Sequence, residues 1–282
     1  FVIYAFLTLV TLVILYPIIY VVSASFSEPQ AVISGRVKLF PVDFTLRGYE
    51  AVLQNGKLIN GFMNSIFYVA VSLVINLTMT MLCAYPLSRK EFTARGWVSL
   101  FFVFTMYFSG GMVPSYILVN KLGLLNTRWA MILPTCMSTY NMIICRTYIM
   151  NNIPDDLYEA GQIDGCTPFR YMLQVIVPLS KSILAVLLLY YGVAKWNDYY
   201  NAMLYLYKDN LMPLTMVMRE ILILGEVDMT KVSNADAVAK LQGMSELLKY
   251  STIVVASVPV VMLYPMIQKH LVKGVMVGAV KG

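Results

Sequence analysis

The sequence predicts an all-α polytopic membrane protein with six transmembrane helices, and three observations carry that expectation. First, 59% of its 282 residues are hydrophobic and 13% are charged. A soluble domain carries about 25% charged residues, so lipid rather than water is expected around much of this surface. Second, mean hydropathy is +0.69. Third, six stretches approach the roughly 20 mostly apolar residues that cross a hydrocarbon core: residues 1–22, 66–87, 97–118, 129–149, 182–206 and 250–267. Inside lipid the backbone must satisfy its own hydrogen bonds, which leaves helices or closed barrels. These runs lack the period-two alternation of barrel strands. The chain therefore reads as a single transmembrane domain, residues 1–282.

Each element has its own signals. The stretch 1–22 opens inside an apolar run at Phe1, which predicts a cytoplasmic segment upstream, and it is too long for a signal-peptide core. Residues 66–87 are followed by a short loop, 88–96, whose Arg89, Lys90 and Arg95 place it on the cytoplasmic side. Residues 97–118 are interrupted by Ser109-Gly110-Gly111 and Pro114, and residues 129–149 hold Pro134. Such breaks are tolerated at membrane depth where protein or a water-filled cavity covers the backbone. They read either as simple kinks or as breaks lining a pathway. The tail, residues 268–282, carries Lys269, Lys273 and Lys281 and is also placed inside. Six spans with both termini cytoplasmic satisfy both placements, and segments 23–65 and 207–249 then face outward.

Composition also excludes. The net charge of +6 comes from scattered Lys and Arg, not from a basic stripe with interleaved aromatics, so nucleic acid is not an expected partner. Cys83, Cys136, Cys145 and Cys166 form no C-x-x-C pair, and His270 is the sole histidine, which argues against a metal site. The 19 methionines follow no ligand spacing and read as ordinary apolar filler. No H-E-x-x-H motif or buried nucleophile–base pair marks an enzyme, and no catalytic residue is expected. No G-x-x-x-x-G-K-[ST] loop is present, so no cofactor is expected in this chain.

The segment 151–181 is the most informative. Pro154 suits a first helical position, and Asp155, Asp156 and Glu159 suit a helix N-terminal region. Asp164-Gly165 is a turn signal that stops the helix. Thr167 can cap a second helix with Pro168 at its first position, and Pro178 ends it. Two short helices should thus meet at a glycine bend beneath the membrane. Leu157, Ala160 and Gly161 would supply a close-approach face, with Glu159 and Asp164 supplying charge. A plain amphipathic connector is the competing reading.

Glu159-Ala160-x3-Asp164-Gly165, followed by Ile176-x-Pro178, resembles the EAA loop of binding-protein-dependent ABC permeases, E-A-A-x3-G-x9-I-x-L-P. Nine residues separate Gly165 from Val175, so the pattern's Ile falls on Val175, beside Ile176. Gly161 replaces the second Ala of the pattern, and Val177 replaces its Leu. The likeness covers most of the chain. Phe44–Leu46 with Tyr49, and Asn64-Ser65, resemble the first outer loop of carbohydrate-class permeases. Ala84-Tyr85-Pro86-Leu87-Ser88-Arg89 and Trp196-Asn197-Asp198 resemble motifs of their second and fifth spans. The tail from Gln268 through Gly274 and Gly278 to Gly282 resembles that of the maltose-type second permease subunit. Phe108 to Tyr116, with Leu122 to Thr127, resembles an oligosaccharide and polysaccharide subgroup that uses lipoprotein binding proteins.

The resemblance implies a type I ABC importer permease fold in a bacterial cytoplasmic membrane. It implies sugar import with a second, different permease as heterodimer partner, two ATPase subunits that bind the ATP and Mg, and an extracellular or periplasmic solute-binding protein. It also implies that Glu159, Ala160, Gly161, Asp164, Gly165, Ile176 and Pro178 form the coupling elbow, and that Gly274, Gly278 and Lys281 let the tail reach the ATPase. For the carbohydrate pathway, polar residues within spans are the candidates: Asn76, Tyr140, Asn141, Lys195, Trp196, Asn197 and Asp198. Lys195 and Asp198, at i and i+3, also read as a structural ion pair. The competing class is an ion-coupled secondary transporter of a polar solute, for which Asp198 is the deep acidic candidate.

Overall fold

The computed structural model describes residues 2–224 and 235–279. The described residues are helical with connecting turns, and there is no strand among them. Among the described residues, three helices are long and apolar enough to cross a membrane: Val2–Ser25, Gly56–Ser88 and Gly243–Pro265. Two bent pairs raise that number to five. They are Arg95–Tyr107 with Met112–Lys121, bent by 112°, and Pro168–Leu179 with Lys181–Trp196, bent by 82°.

Three of the six expected spans are interrupted, two of them at the Gly and Pro breaks that the sequence marks. The 97–118 stretch divides where Gly111 adopts φ 85° and ψ −178°, a backbone region that belongs essentially to glycine. The 129–149 stretch divides into Arg128–Ile132, a single 3-10 turn over Leu133–Thr135, and Thr139–Asn152. Pro134 has no N–H to continue the helix, and Ser138 restarts it by accepting a hydrogen bond from the Asn141 amide. The 182–206 stretch divides after Trp196, where Asp198 caps a new helix, Tyr199–Tyr205, by accepting from the Asn201 amide.

By contact the chain divides into two compact units. In the first, Phe1–Ser65 with Tyr207–Val261, the outer-loop motif residues are structural ties. Tyr49 Oη lies 2.8 Å from Ser25 Oγ, and Phe44 stacks on Phe26 at 5.6 Å. The Asn64 side-chain amide donates to the carbonyls of Asn210 at 2.8 Å and Met212 at 3.1 Å, while Ser65 Oγ accepts from the Leu214 amide at 2.9 Å. These bonds satisfy carbonyls and an amide that no helix uses, which a low-dielectric setting demands. The apolar helix Val2–Ser25 has none of its most hydrophobic window buried. It offers a long apolar face for lipid or a partner's helices.

In the second unit, Ile66–Leu206 with Met262–Gly282, one core joins the elements that carry the expected site. Met81, Ala84, Tyr85 and Leu87 from one helix meet Met142, Cys145 and Ile149 from Thr139–Asn152. Tyr171, Met172 and Ile176 join them, as do Ile183, Leu187 and Tyr191. Tyr191 Oη sits 2.7 Å from Thr80 Oγ1 and accepts from the Ser138 amide at 3.0 Å, so it serves the break before Thr139. Arg146 Nε donates to the Leu87 carbonyl at 2.8 Å, covering a helix end.

Candidate functional site

The elbow begins with the helix Asp156–Ile163, whose first turn carries Asp156 and Glu159. Pro154 lies outside this helix, and Asp155 is its N-cap residue without making a side-chain cap bond. The Asp155 carboxylate is engaged elsewhere. Its Oδ2 accepts from Lys90 Nζ at 2.7 Å, and its Oδ1 lies 3.7 Å from Arg89 Nη1. The Lys90 hydrogen bond holds the Asp155 carboxyl below its usual value, and Asp155 raises the Lys90 ammonium in turn.

The helix ends in a paired-bond stop. The Gly165 amide donates to the Gln162 carbonyl at 3.0 Å, and the Cys166 amide donates to the Gly161 carbonyl at 2.8 Å. This is the Schellman arrangement, which places the residue after the cap in the left-handed region. Gly165 occupies it with φ +72°. Thr167 then caps Pro168–Tyr171 by accepting from the Arg170 amide. The chain widens to a π-helix over Met172–Ile176 before Val177–Leu179. A π turn closes i→i+5, so Tyr171 and Ile176 come onto one face. Both are buried.

The residues expected to couple divide into two groups. Glu159, Ala160, Asp164, Gly165 and Pro178 are exposed on the elbow, as are Ile163 and Phe169 at its bend. Gly161 and Ile176 point the other way. Ile176 is fully buried in the core. A Cβ at Gly161 would lie 3.0 Å from Tyr171 Cδ2. The expectation that Gly161 belongs to an outward close-approach face is thus corrected: its missing side chain makes room for a ring within the elbow.

From sequence, Arg89 marks the cytoplasmic face and closes the second-span motif. In the structure it is buried, and its guanidinium lies over three tyrosine rings: Tyr158 at 5.2 Å, Tyr85 at 5.4 Å and Tyr171 at 5.8 Å from the centroids. Tyr158 and Tyr171 themselves meet edge to face at 5.2 Å. The i, i+4 spacing of Tyr85 and Arg89 was the one available sequence signal.

The expected pathway residues are largely committed to the protein. Lys195 Nζ donates to the Met131 carbonyl at 2.6 Å, to Thr135 Oγ1 at 2.8 Å and to Asp198 Oδ2 at 2.8 Å. An ammonium has three donors, so all are used. Asp198 Oδ1 accepts from the Asn201 side chain at 2.8 Å. The pair thus fastens the break at residues 131–135 to the end of Lys181–Trp196. Asn76 is buried, and in its satisfied orientation donates to the carbonyls of Ser72 at 2.9 Å and Cys136 at 3.1 Å. Asn141 and Trp196 are buried, whereas Tyr140 and Asn197 are exposed. In the tail, Gly274 and Gly278 belong to the helix Ala235–Ala279, which runs on past the expected end of the sixth span. Lys281 lies outside the described residues.

No protein-family model matches the chain. The polygalacturonan/rhamnogalacturonan transport system permease protein YtcP of Bacillus subtilis (strain 168) is 35% identical over 283 residues, 99% of this chain and 97% of that protein. A solved bacterial ABC transporter involved in the import of the acidic polysaccharide alginate is similar with a TM-score of 0.88 at 31% identity, covering 95% of this chain and 94% of that one. A bacterial alginate ABC transporter solved in complex with an alginate pentasaccharide-bound periplasmic protein shares the fold, with a TM-score of 0.56 at 17% identity over 94% of this chain and 93% of that one.

Proposed function

This chain belongs to the permease subunits of carbohydrate ABC importers, and we propose that it couples a separate ATPase to the passage of an oligosaccharide or polysaccharide fragment through the elbow at residues 155–178. The observation that carries this reading is the elbow's construction. An exposed, charged, capped helix ends at a left-handed glycine and is backed by a buried core. Such a body moves as a unit. A flexible connector would dissipate the free-energy difference on which coupling between two sites depends.

In this reading Glu159, Ala160, Asp164 and Gly165 present the elbow to a cleft of the ATPase, with Ile163 and Phe169 supplying apolar contact. Gly161 and Ile176 fix it from behind, and Pro178 lies exposed within the final turn, Val177–Leu179, rather than ending the helix. The ATPase subunits bind ATP and Mg and carry out hydrolysis, and this chain contributes no catalytic group. A second, different permease completes the pathway, and an extracellular or periplasmic binding protein, of lipoprotein type, delivers the sugar. The protein spans the bacterial cytoplasmic membrane with both termini inside, and the helical tail through Gly274 and Gly278 extends toward the ATPase. Tyr140 and Asn197 remain as pathway groups, being the exposed members of the polar set. The ion-coupled alternative loses support because the Asp198 carboxylate is bonded to Lys195 and Asn201.

The test uses the assembled importer. Glu159→Lys or Gly165→Pro is expected to abolish uptake of radiolabelled oligosaccharide and co-purification of the ATPase, while the protein stays in the membrane. Normal uptake in both variants would remove the elbow from the mechanism. Uptake in the wild type should stop on ATP depletion and survive collapse of the ion gradient.

A further inference from the structure

We propose that Arg89 is a positioning residue that locks the elbow to the cytoplasmic end of the helix Gly56–Ser88, so that displacement of the elbow is delivered to that helix. The proposal rests on the coupling role of the elbow and adds the joint through which its motion leaves it.

Arg89 and Lys90 are neighbours in one basic loop, yet their side chains are 8% and 73% exposed. Retention of a loop at the inner face needs charge, not burial, and Lys90 meets that need. Arg89 is instead withdrawn beneath three rings from three segments. Tyr85 belongs to Gly56–Ser88, Tyr158 to Asp156–Ile163 and Tyr171 to Pro168–Tyr171. All three centroids lie within the roughly 6 Å over which a cation is attracted to an aromatic face. The Asp155 carboxylate, at 3.7 Å, supplies the counter-charge from the start of the elbow.

The cage is built at a cost, which argues against incidental packing. Arg89 Nε and the Tyr171 hydroxyl are both buried without a hydrogen-bond partner, an arrangement that native interiors rarely tolerate. Gly161 leaves space for the Tyr171 ring, which a Cβ would approach to 3.0 Å. A planar guanidinium can stack against several rings at once, whereas a lysine ammonium is a hydrated point charge. Arg89→Lys therefore keeps the charge of the loop and removes the joint.

The experiment measures sugar accumulated per ATP hydrolysed by the complete importer in liposomes, together with the amount of ATPase that co-purifies. Arg89→Lys and Tyr158→Leu are expected to keep the ATPase bound and turning over, while sugar per ATP falls by about fivefold or more, the scale of a typical coupling interaction. Tyr158→Phe keeps the ring and should stay within about twofold of wild type, since the face of the ring supplies the attraction. Wild-type stoichiometry of transport in both Arg89→Lys and Tyr158→Leu overturns the proposal. So does loss of the ATPase from either variant, which would make the cage a docking or folding element. Glu159→Lys serves as the separate control. If it abolishes uptake while Arg89→Lys and Tyr158→Leu are both neutral, the joint is wrong and the elbow stands; if it and Gly165→Pro are neutral too, the elbow reading fails.

Discussion

Gly161 shows how a single missing methyl organises its surroundings. Helix propensity alone favours Ala there by roughly 1 kcal/mol. Against that gain stands Tyr171, whose ring is wedged between Tyr85 and Tyr158 and is 1% exposed. Interiors packed this closely yield little to an added carbon. Gly161→Ala is therefore expected to lower the thermal unfolding midpoint of the purified complex, although Ala is the commoner residue in the resembled pattern. Combined with Tyr171→Leu, the same change should cost less than the sum of the two single substitutions, the sign of a direct contact. Gly165 poses a different constraint. Nothing lies within 4 Å of a Cβ there, but φ is +72°. A side chain would meet backbone strain of about 1–2 kcal/mol rather than a neighbour.

At the scale of elements, the elbow was legible because its signals are local. Thr167-Pro168 and Asp164-Gly165 specify a cap and a stop without reference to the rest of the chain. The broken spans were only half legible. Pro134 and Gly110-Gly111 announced interruptions, but hydropathy alone does not say whether a helix bends or stops. Of the Arg89 cage only the Tyr85–Arg89 spacing was legible, because Tyr158 and Tyr171 converge on it only once three segments have packed. The same holds for Gly161, where the space was visible in sequence but its direction was not.

The Lys90–Asp155 pair gives this element a pH signature. The Asp155 carboxyl is held below its usual value of about 3.9. Its contribution is present above that pH and is lost as pH falls through the depressed value. Lys90 is raised above about 10.4, so its contribution is present below that pH and is lost only as pH rises through the elevated value. The pair is thus fully formed across the neutral range. The stability difference between wild type and Asp155→Asn should be constant from about pH 5 to pH 9 and shrink below about pH 4. Thermal unfolding at stepped pH measures it. A difference that changes near pH 7 would mean that another group governs the elbow's attachment.

For the whole molecule the governing constraint is its solvent. The helix Val2–Ser25 carries a mean hydropathy of 2.5 over its most apolar window with no residue of that window buried. Only lipid or another subunit offers such a surface a lower free energy than water. The proposed sidedness makes a direct prediction. In a background lacking Cys83, Cys136, Cys145 and Cys166, a cysteine at Thr93 should resist a membrane-impermeant maleimide applied to intact cells. A cysteine at Lys208 should react. Labelling in the reverse pattern would invert the topology and place residues 155–178 on the wrong side for any nucleotide-driven partner.

The fully bonded Lys195 ammonium has a consequence for selectivity. A carboxylated sugar unit arriving at this cation would have to displace a carbonyl, a hydroxyl and a carboxylate before gaining anything. In this arrangement the buried positive charge confers no preference for uronic acids over neutral hexoses. Under the proposed role, discrimination between acidic and neutral glycans falls to groups that stay open to water.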